Sequence, residues 1–259
     1  NVDSIWSVGG ASAEWLARTF DEQHLDKIRN TAFLSAQSHI QEILDTKVQN
    51  SDVDRPLAIK TLRLMSSVDI DDLGKAEYLF KSETIGEDGP FGHEEGNTPP
   101  RYVTDRGITI GRQRDFDRLI LQYHQPHTPW FSKALEENRP LKYHEYDWWN
   151  YYYETGDIDS IWEAYMSDLR YVLDDIEILL ENLDAERVAI TADHGESFGE
   201  YGVLGHKIGS LHPKIRNVPW IVTSAKDTGS HDPVVEEPDD SKMAQKKLDD
   251  QLEALGYKG

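Results

Sequence analysis

Apolar and polar positions in this chain follow two rhythms. The helical rhythm is clearest from Asp159 to Leu183. There Trp162, Tyr165, Leu169, Val172, Leu173, Ile176, Leu180 and Leu183 recur at i, i+3, i+4 spacing with carboxylates opposite. Shorter helical patterns follow Ser12 ("AEWLARTF", Glu14 in its first turn), cover "SHIQEIL", and run through "DIDDLGKAEYLFKSE" behind an acidic start. The second rhythm is a short apolar run of strand length. It occurs in "NTAFLSA" (30–36), "DRLILQYHQPHTPW" (117–130), "RVAITA" (187–192) and "VPWIVT" (218–223). Ser82 to Arg101 is dense in glycine and proline and reads as an irregular loop. Strand, helix, strand in this order predicts an α/β fold with a mostly parallel sheet sandwiched by helices. Residues 1–224 read as one domain. Residues 225–259 turn acidic and polar and end in a predicted helix, "SKMAQKKLDDQLEALGY".

Composition narrows the partners. The 259 residues hold 27 basic and 48 acidic side chains, a formal charge of −21. Such a surface repels nucleic acid and anionic membranes, so neither is expected as a partner. Most of the carboxylates read as a solvated face. With no cysteine, disulfides, thiolate nucleophiles and Cys-based zinc sites are excluded. No apolar run approaches the roughly 20 residues of a membrane helix, and no signal-peptide pattern opens the chain at Asn1. A cytoplasmic location is the expectation.

Chemistry concentrates where two predicted strands stop. Ligands in open α/β sheets bind beyond the carboxyl ends of strands. One strand ends at His124 and His127, the other at Asp193 and His194. Aspartate and neutral imidazole are common ligands of divalent metals, and Gly195 permits the turn that lets adjacent residues reach one centre. Alternatively, Asp193 caps a following helix and His194 is merely exposed.

The stretch "VAITADHGESFGEYGVLGHKIGSLHPKIRNVPWIV" resembles the C-terminal motif of the sulfatase family within the alkaline phosphatase superfamily: a strand, Asp-His-Gly-Glu, a glycine-rich loop, Gly-His and an Arg-x-Val-Pro strand. "LILQYHQPHTPW" is similar to that family's strand ending in His-x-Pro-His-x-Pro-aromatic. The acidic, cysteine-free composition resembles haloarchaeal members. The resemblance implies an alkaline phosphatase/sulfatase-like fold and a metal-dependent hydrolase of small anionic sulfate or phosphate esters, sugar-linked ones among them. Residue by residue, it implies Asp193 and His194 as ligands of a divalent metal (calcium, magnesium, manganese or zinc). His127, with His124 beside it, would contact substrate oxygens, and His206 or Lys207 would stabilise ester and leaving-group oxygens. The family also uses an N-terminal strand with metal-binding aspartates and a nucleophile within Cys/Ser-x-Pro-x-Arg. This sequence has no such motif, and Asp3 is the one acidic residue ahead of Ser12. The resemblance therefore implies an upstream segment, an atypical nucleophile (Ser12 first, then Thr19), or a degenerate member that binds without turnover.

Several residues carry a plainer alternative. Ser12 also suits a helix N-cap, Glu196 a helix start, and His212 a turn. Arg101, Arg106, Arg112 and Arg114 could clamp an anion bidentately or pair with surface carboxylates. The run around Trp148-Trp149 and Tyr151–Tyr153 suits either a ring-binding platform or packing.

Overall fold

The computed structural model describes residues 2–49, 56–65, 68–81, 92–113 and 116–234. Arg114 and the predicted C-terminal helix lie outside them, as do residues 82–91 of the predicted loop. In chain order the main elements are β1 (Asp3–Trp6), α1 (Ser12–Thr19), β2 (Thr31–Ser35), α2 (His39–Leu44), α3 (Leu57–Met65) and β3 (Lys75–Tyr78). They continue with α4 (Pro100–Gln113), β4 (Arg118–Gln122), α5 (Trp148–Thr155), α6 (Ile158–Glu181), β5 (Ala185–Thr191) and β6 (Asn217–Ala225).

The strands form two three-stranded sheets rather than one. In the first, β2 lies between β3 and β4, parallel to both, with Ser35 opposite Tyr78 on one side and Gln122 on the other. All five residues of β2 are buried, as expected for a parallel strand covered on both faces. Alternation decides which side chain goes where. Phe33 and Ile120 point into a cluster with Leu16 of α1, Ile40 and Ile43 of α2, and Leu62 of α3. Ala32, Leu34, Leu119 and Leu121 point the other way, onto Tyr102, Val103 and Ile110 of α4. This half of the molecule is the expected helix-covered parallel sheet.

The second sheet corrects the expectation. Its order is β1-β6-β5, antiparallel throughout, with Ile5 opposite Val218 and Ala189 opposite Val222. It is only thinly covered: Trp6 is 53% and Val222 51% exposed. Strand β1 was not predicted; four residues, all exposed, give no periodic signal, and β6 supplies the pairing.

Three other expectations change. "DIDDLGKAEYLFKSE" is not a helix. Its acidic start is one 3₁₀ turn, Ile70–Asp72, capped by Asp69, and β3 follows. Gly74 enforces the break, because a Cβ there would lie 2.6 Å from the Arg29 carbonyl oxygen. The predicted loop closes early, since helix α4 begins at Pro100, a residue suited to a first helical turn. Helix α6 forms where expected, with Asp157 accepting from the Ser160 amide at 3.1 Å, but its buried line is Ile161, Ala164, Asp168, Val172, Asp175 and Leu179. Trp162 and Leu173 face solvent. Two carboxylates take the inner face because each finds a partner there: Asp168 accepts the Ser132 amide at 2.8 Å, and Asp175 pairs with Arg101. Among the described residues, no helix is long and apolar enough to cross a membrane.

A third core cluster, Trp130, Trp148, Ile161 and Ala164, gathers Trp149, Tyr151, Tyr165, Phe198 and Leu204 around it. It anchors the loop after β5 to α5 and α6. The Trp148–Trp149 pair stacks at 4.4 Å, so Trp148, Trp149, Tyr151 and Tyr152 pack, while Tyr153 stays exposed.

Candidate functional site

Three chain tips meet at one place: the end of β4, the end of β5 and the start of α1. Beyond β5, Asp193 is held from three sides. Its Oδ1 accepts its neighbour's amide, His194 N, at 2.9 Å, and its Oδ2 accepts Gln122 Nε2 at 3.2 Å. Its backbone carbonyl accepts from the Ser7 hydroxyl. Gln122 is itself fixed: Ser35 donates its hydroxyl to Gln122 Oε1 at 2.8 Å, which turns the amide nitrogen to the carboxylate. Asp193 is thus reached from the parallel sheet, although it follows a strand of the other one.

The four histidines form a continuous row of rings. His124 and His127 lie 5.1 Å apart by ring centroid, His127 and His206 5.5 Å, and His206 and His194 4.1 Å. Nδ1 of His194 lies 3.0 Å from the Gly195 carbonyl and that of His127 2.8 Å from the Thr128 carbonyl. A carbonyl only accepts, so both Nδ1 atoms carry hydrogen and the neutral rings keep their lone pair on Nε2. Nδ1 of His206 donates to Glu196 Oε2 at 2.9 Å. His194 Nε2 stands 3.8 Å from Asp193 Oδ1 and 3.3 Å from Ser12 Oγ.

Charge follows this geometry. Burial, with the neighbouring His127 second, pulls His124 down to about 4. His127 is also lowered, chiefly by loss of water around the ring. Burial alone would lower His206, but the hydrogen bond and charge of Glu196, aided by Asp193, outweigh it and hold this ring above its ordinary value. Two buried polar atoms here have no partner among the described residues, His124 Nε2 and Glu196 Oε1.

The Ser12 cap expectation is overturned. The N-cap residue of α1 is Ala11, which offers no side-chain bond, and Ser12 is the first helical residue, its hydroxyl turned to His194. Thr19 lies at the opposite end of α1. Lys207 is exposed beside His206, and among the described residues its ammonium forms no ion pair or hydrogen bond. Its backbone carbonyl packs so closely on Gly10 that a Cβ there would lie 2.7 Å away.

Glu196 starts no helix; it serves His206. His212 does take the turn role, accepting the Lys214 amide at 3.2 Å ahead of the short helix Pro213–Arg216. Of the four candidate arginines, the three described pair with carboxylates. Arg101 pairs with Asp175, Arg106 with Glu77 at 2.7 and 3.0 Å, and Arg112 with Asp227 at 3.0 Å through two bonds.

Sequence reading missed Gln122, Ser35 and Glu14. Glu14 accepts the amides of Gly10 and Gly209, each at 2.9 Å, and so ties the loop before Ser12 to the loop after Lys207. Its only sequence signal was its place in the first turn of α1.

Fold and site together define an α/β protein with a histidine- and carboxylate-lined centre at its strand ends. Among the described residues no group of three or more histidine and carboxylate side chains stands ready to hold a metal ion. Comparison with protein-family models, with curated proteins and with solved structures finds no match to this chain.

Proposed function

We propose that this chain is a sulfatase-like, alkaline phosphatase-type domain that hydrolyses small sulfate or phosphate esters with the help of a divalent metal. The observation that carries the reading is the ring row joining His127 of one strand end to His206 and His194 of the other, with Asp193 beside it. The donor set fits a cation in part: one carboxylate and one imidazole lie together, next to a hydroxyl and near an unpartnered imidazole nitrogen. Asp193 and His194 would hold the ion, with water and substrate oxygens completing its shell. When bound, it supplies Lewis-acid polarisation of the ester. The chain's own groups do the rest. His127 and His206 donate from Nε2–H to the charged oxygens when protonated, and Lys207 adds charge at the mouth. Ser12, its hydroxyl 3.3 Å from the Nε2 with which His194 would hold the ion, is the first candidate nucleophile, since the ion would draw in and acidify that hydroxyl.

The test is a screen of chromogenic sulfate, phosphate and phosphonate esters with each of the four metals, joined to elemental analysis. Turnover that vanishes in His127→Ala while metal content stays, and metal content that vanishes in Asp193→Ala, is the expected result. Unchanged metal in Asp193→Ala removes that residue from the site, and an unaltered rate in His127→Ala removes the other. A second reading, binding without turnover, is favoured by the missing third ligand among the described residues. Tight anion binding with no hydrolysis of any ester would select it.

A further inference from the structure

We propose that Glu196 is the positioning residue of this site, holding the His206 ring so that its Nε2 is presented to the bound anion. The inference rests on the reading of the site as an anionic-ester centre. The loop from Glu196 to His206 closes on itself: Gly205 N donates to the Ser197 carbonyl at 2.7 Å, and Gly199 N donates to the Val203 carbonyl at 2.9 Å. Trp149 packs against Gly205, where φ is +74° and a Cβ would come within 1.9 Å of the indole. The backbone at the base of His206 is therefore fixed, and what remains free is rotation of the imidazole itself. The Nδ1–Oε2 bond at 2.9 Å stops that rotation. Its strength is helped by shelter, since the carboxylate is only 15% and the imidazole 21% exposed.

A structural role for Glu196 does not account for its surroundings. A sheltered carboxylate costs free energy unless its oxygens are satisfied. Here one oxygen has a single partner, His206, and the other is buried with none. A residue kept for stability would cap the turn or tie two elements, as Glu14 does. Glu196 caps no turn, and its side-chain bond stays within the one loop that carries both residues. Its one bond acts on the ring that touches both His194 and His127, and so governs the middle of the histidine row.

The test compares wild type with Glu196→Ala and Glu196→Gln. Gln keeps an acceptor oxygen for Nδ1–H and removes the charge. Three quantities are read: binding of inorganic sulfate and of phosphate by calorimetry, kcat and KM for whichever chromogenic ester is turned over, and imidazole ¹⁵N shifts of His206. Removing an outer partner of a site histidine commonly lowers affinity or activity about 10–100-fold. Glu196→Ala should lose that much in anion affinity and kcat and lose the hydrogen-bonded Nδ1–H signal, with the unfolding midpoint little changed. Glu196→Gln should recover most of the loss and the signal. An alanine variant equal to wild type overturns the proposal. A glutamine variant as poor as alanine also overturns it, because charge rather than orientation would then be the cause. If wild type itself binds neither anion and turns over no ester, the ester-centre reading falls. The ring spectra then decide alone, and unaltered His206 shifts in Glu196→Ala sink the inference.

Discussion

Glu14 offers a measurement that needs no substrate. It is 2% exposed, and its Oε2 accepts the Gly10 and Gly209 amides, both at 2.9 Å, while Arg18 Nε approaches Oε1 at 3.0 Å. Glu14→Ala would leave two sheltered amides without acceptors, each costing about 1–3 kcal/mol. Arg18 is half exposed and adds little. The expected loss is about 3 kcal/mol, or roughly 6–12 °C in Tm at about 2–4 °C per kcal/mol for a chain of this size. Glu14→Gln, whose one carbonyl oxygen can take the place of Oε2 toward both amides but without the charge, should lose less. The pH dependence follows from the same bonds. Burial pushes the Glu14 carboxyl up, but the Gly10 and Gly209 amides and the charges of Arg18 and Arg216 outweigh it and hold the group below its ordinary value. Its contribution is complete above an unfolded value of about 4.3 and drains away as pH falls through the lower folded value. Urea unfolding of wild type and both variants at pH 7, 5 and 3.5 checks this, with the gap between wild type and Glu14→Gln narrowing only at the acid end. A Glu14→Ala variant within about 0.5 kcal/mol of wild type at pH 7, the usual spread for neutral surface changes, would refute the clasp.

Three further outcomes are expected. Arg106→Leu removes the two-bond partner of buried Glu77 and leaves it only the partly exposed Lys75 ammonium at 3.1 Å among the pairs described; it should cost up to about 3–5 kcal/mol in urea unfolding, and adding Glu77→Leu should restore much of that. Gly205→Ala sets a methyl against the Trp149 ring at a φ of +74°; overpacking of this kind costs about 1–3 kcal/mol, with the left-handed backbone adding more, and a changed tryptophan emission should report it. With a charge of −21, repulsion between carboxylates should ease in molar salt, so Tm measured in dilute buffer and in concentrated KCl should rise with salt; equal midpoints would dismiss salt adaptation.

The sequence was most legible where one local signal sufficed. Buried β2 and the existence of helix α6 each announce themselves within one window, although of the predicted α6 stripe only Val172 falls in the buried line. Failures arose where distant partners overrode the local pattern. Helix α4 hides because its inward side carries Asp105 and Arg106, polar residues whose partners, His231 and Glu77, are remote in sequence. Strand β3 looks helical until β2 is there to pair with it. The same holds at the site. Asp193, His194, His127 and His206 stand in recognisable spacings, yet the links from Gln122 to Asp193 and from Ser12 to His194 join residues 71 and 182 positions apart. No periodicity encodes such links.

Because the two described sheets share no strand, the histidine row sits on a seam between two separately hydrogen-bonded bodies. Widening that seam breaks no row of ladder bonds. Side-chain links resist it: Gln122 to Asp193, Ser12 to His194 and Glu14 to the Gly209 amide at the row, and Arg112 to Asp227 farther away. Entry to the cleft is therefore opposed by side-chain packing and single hydrogen bonds rather than by the ladder of either sheet.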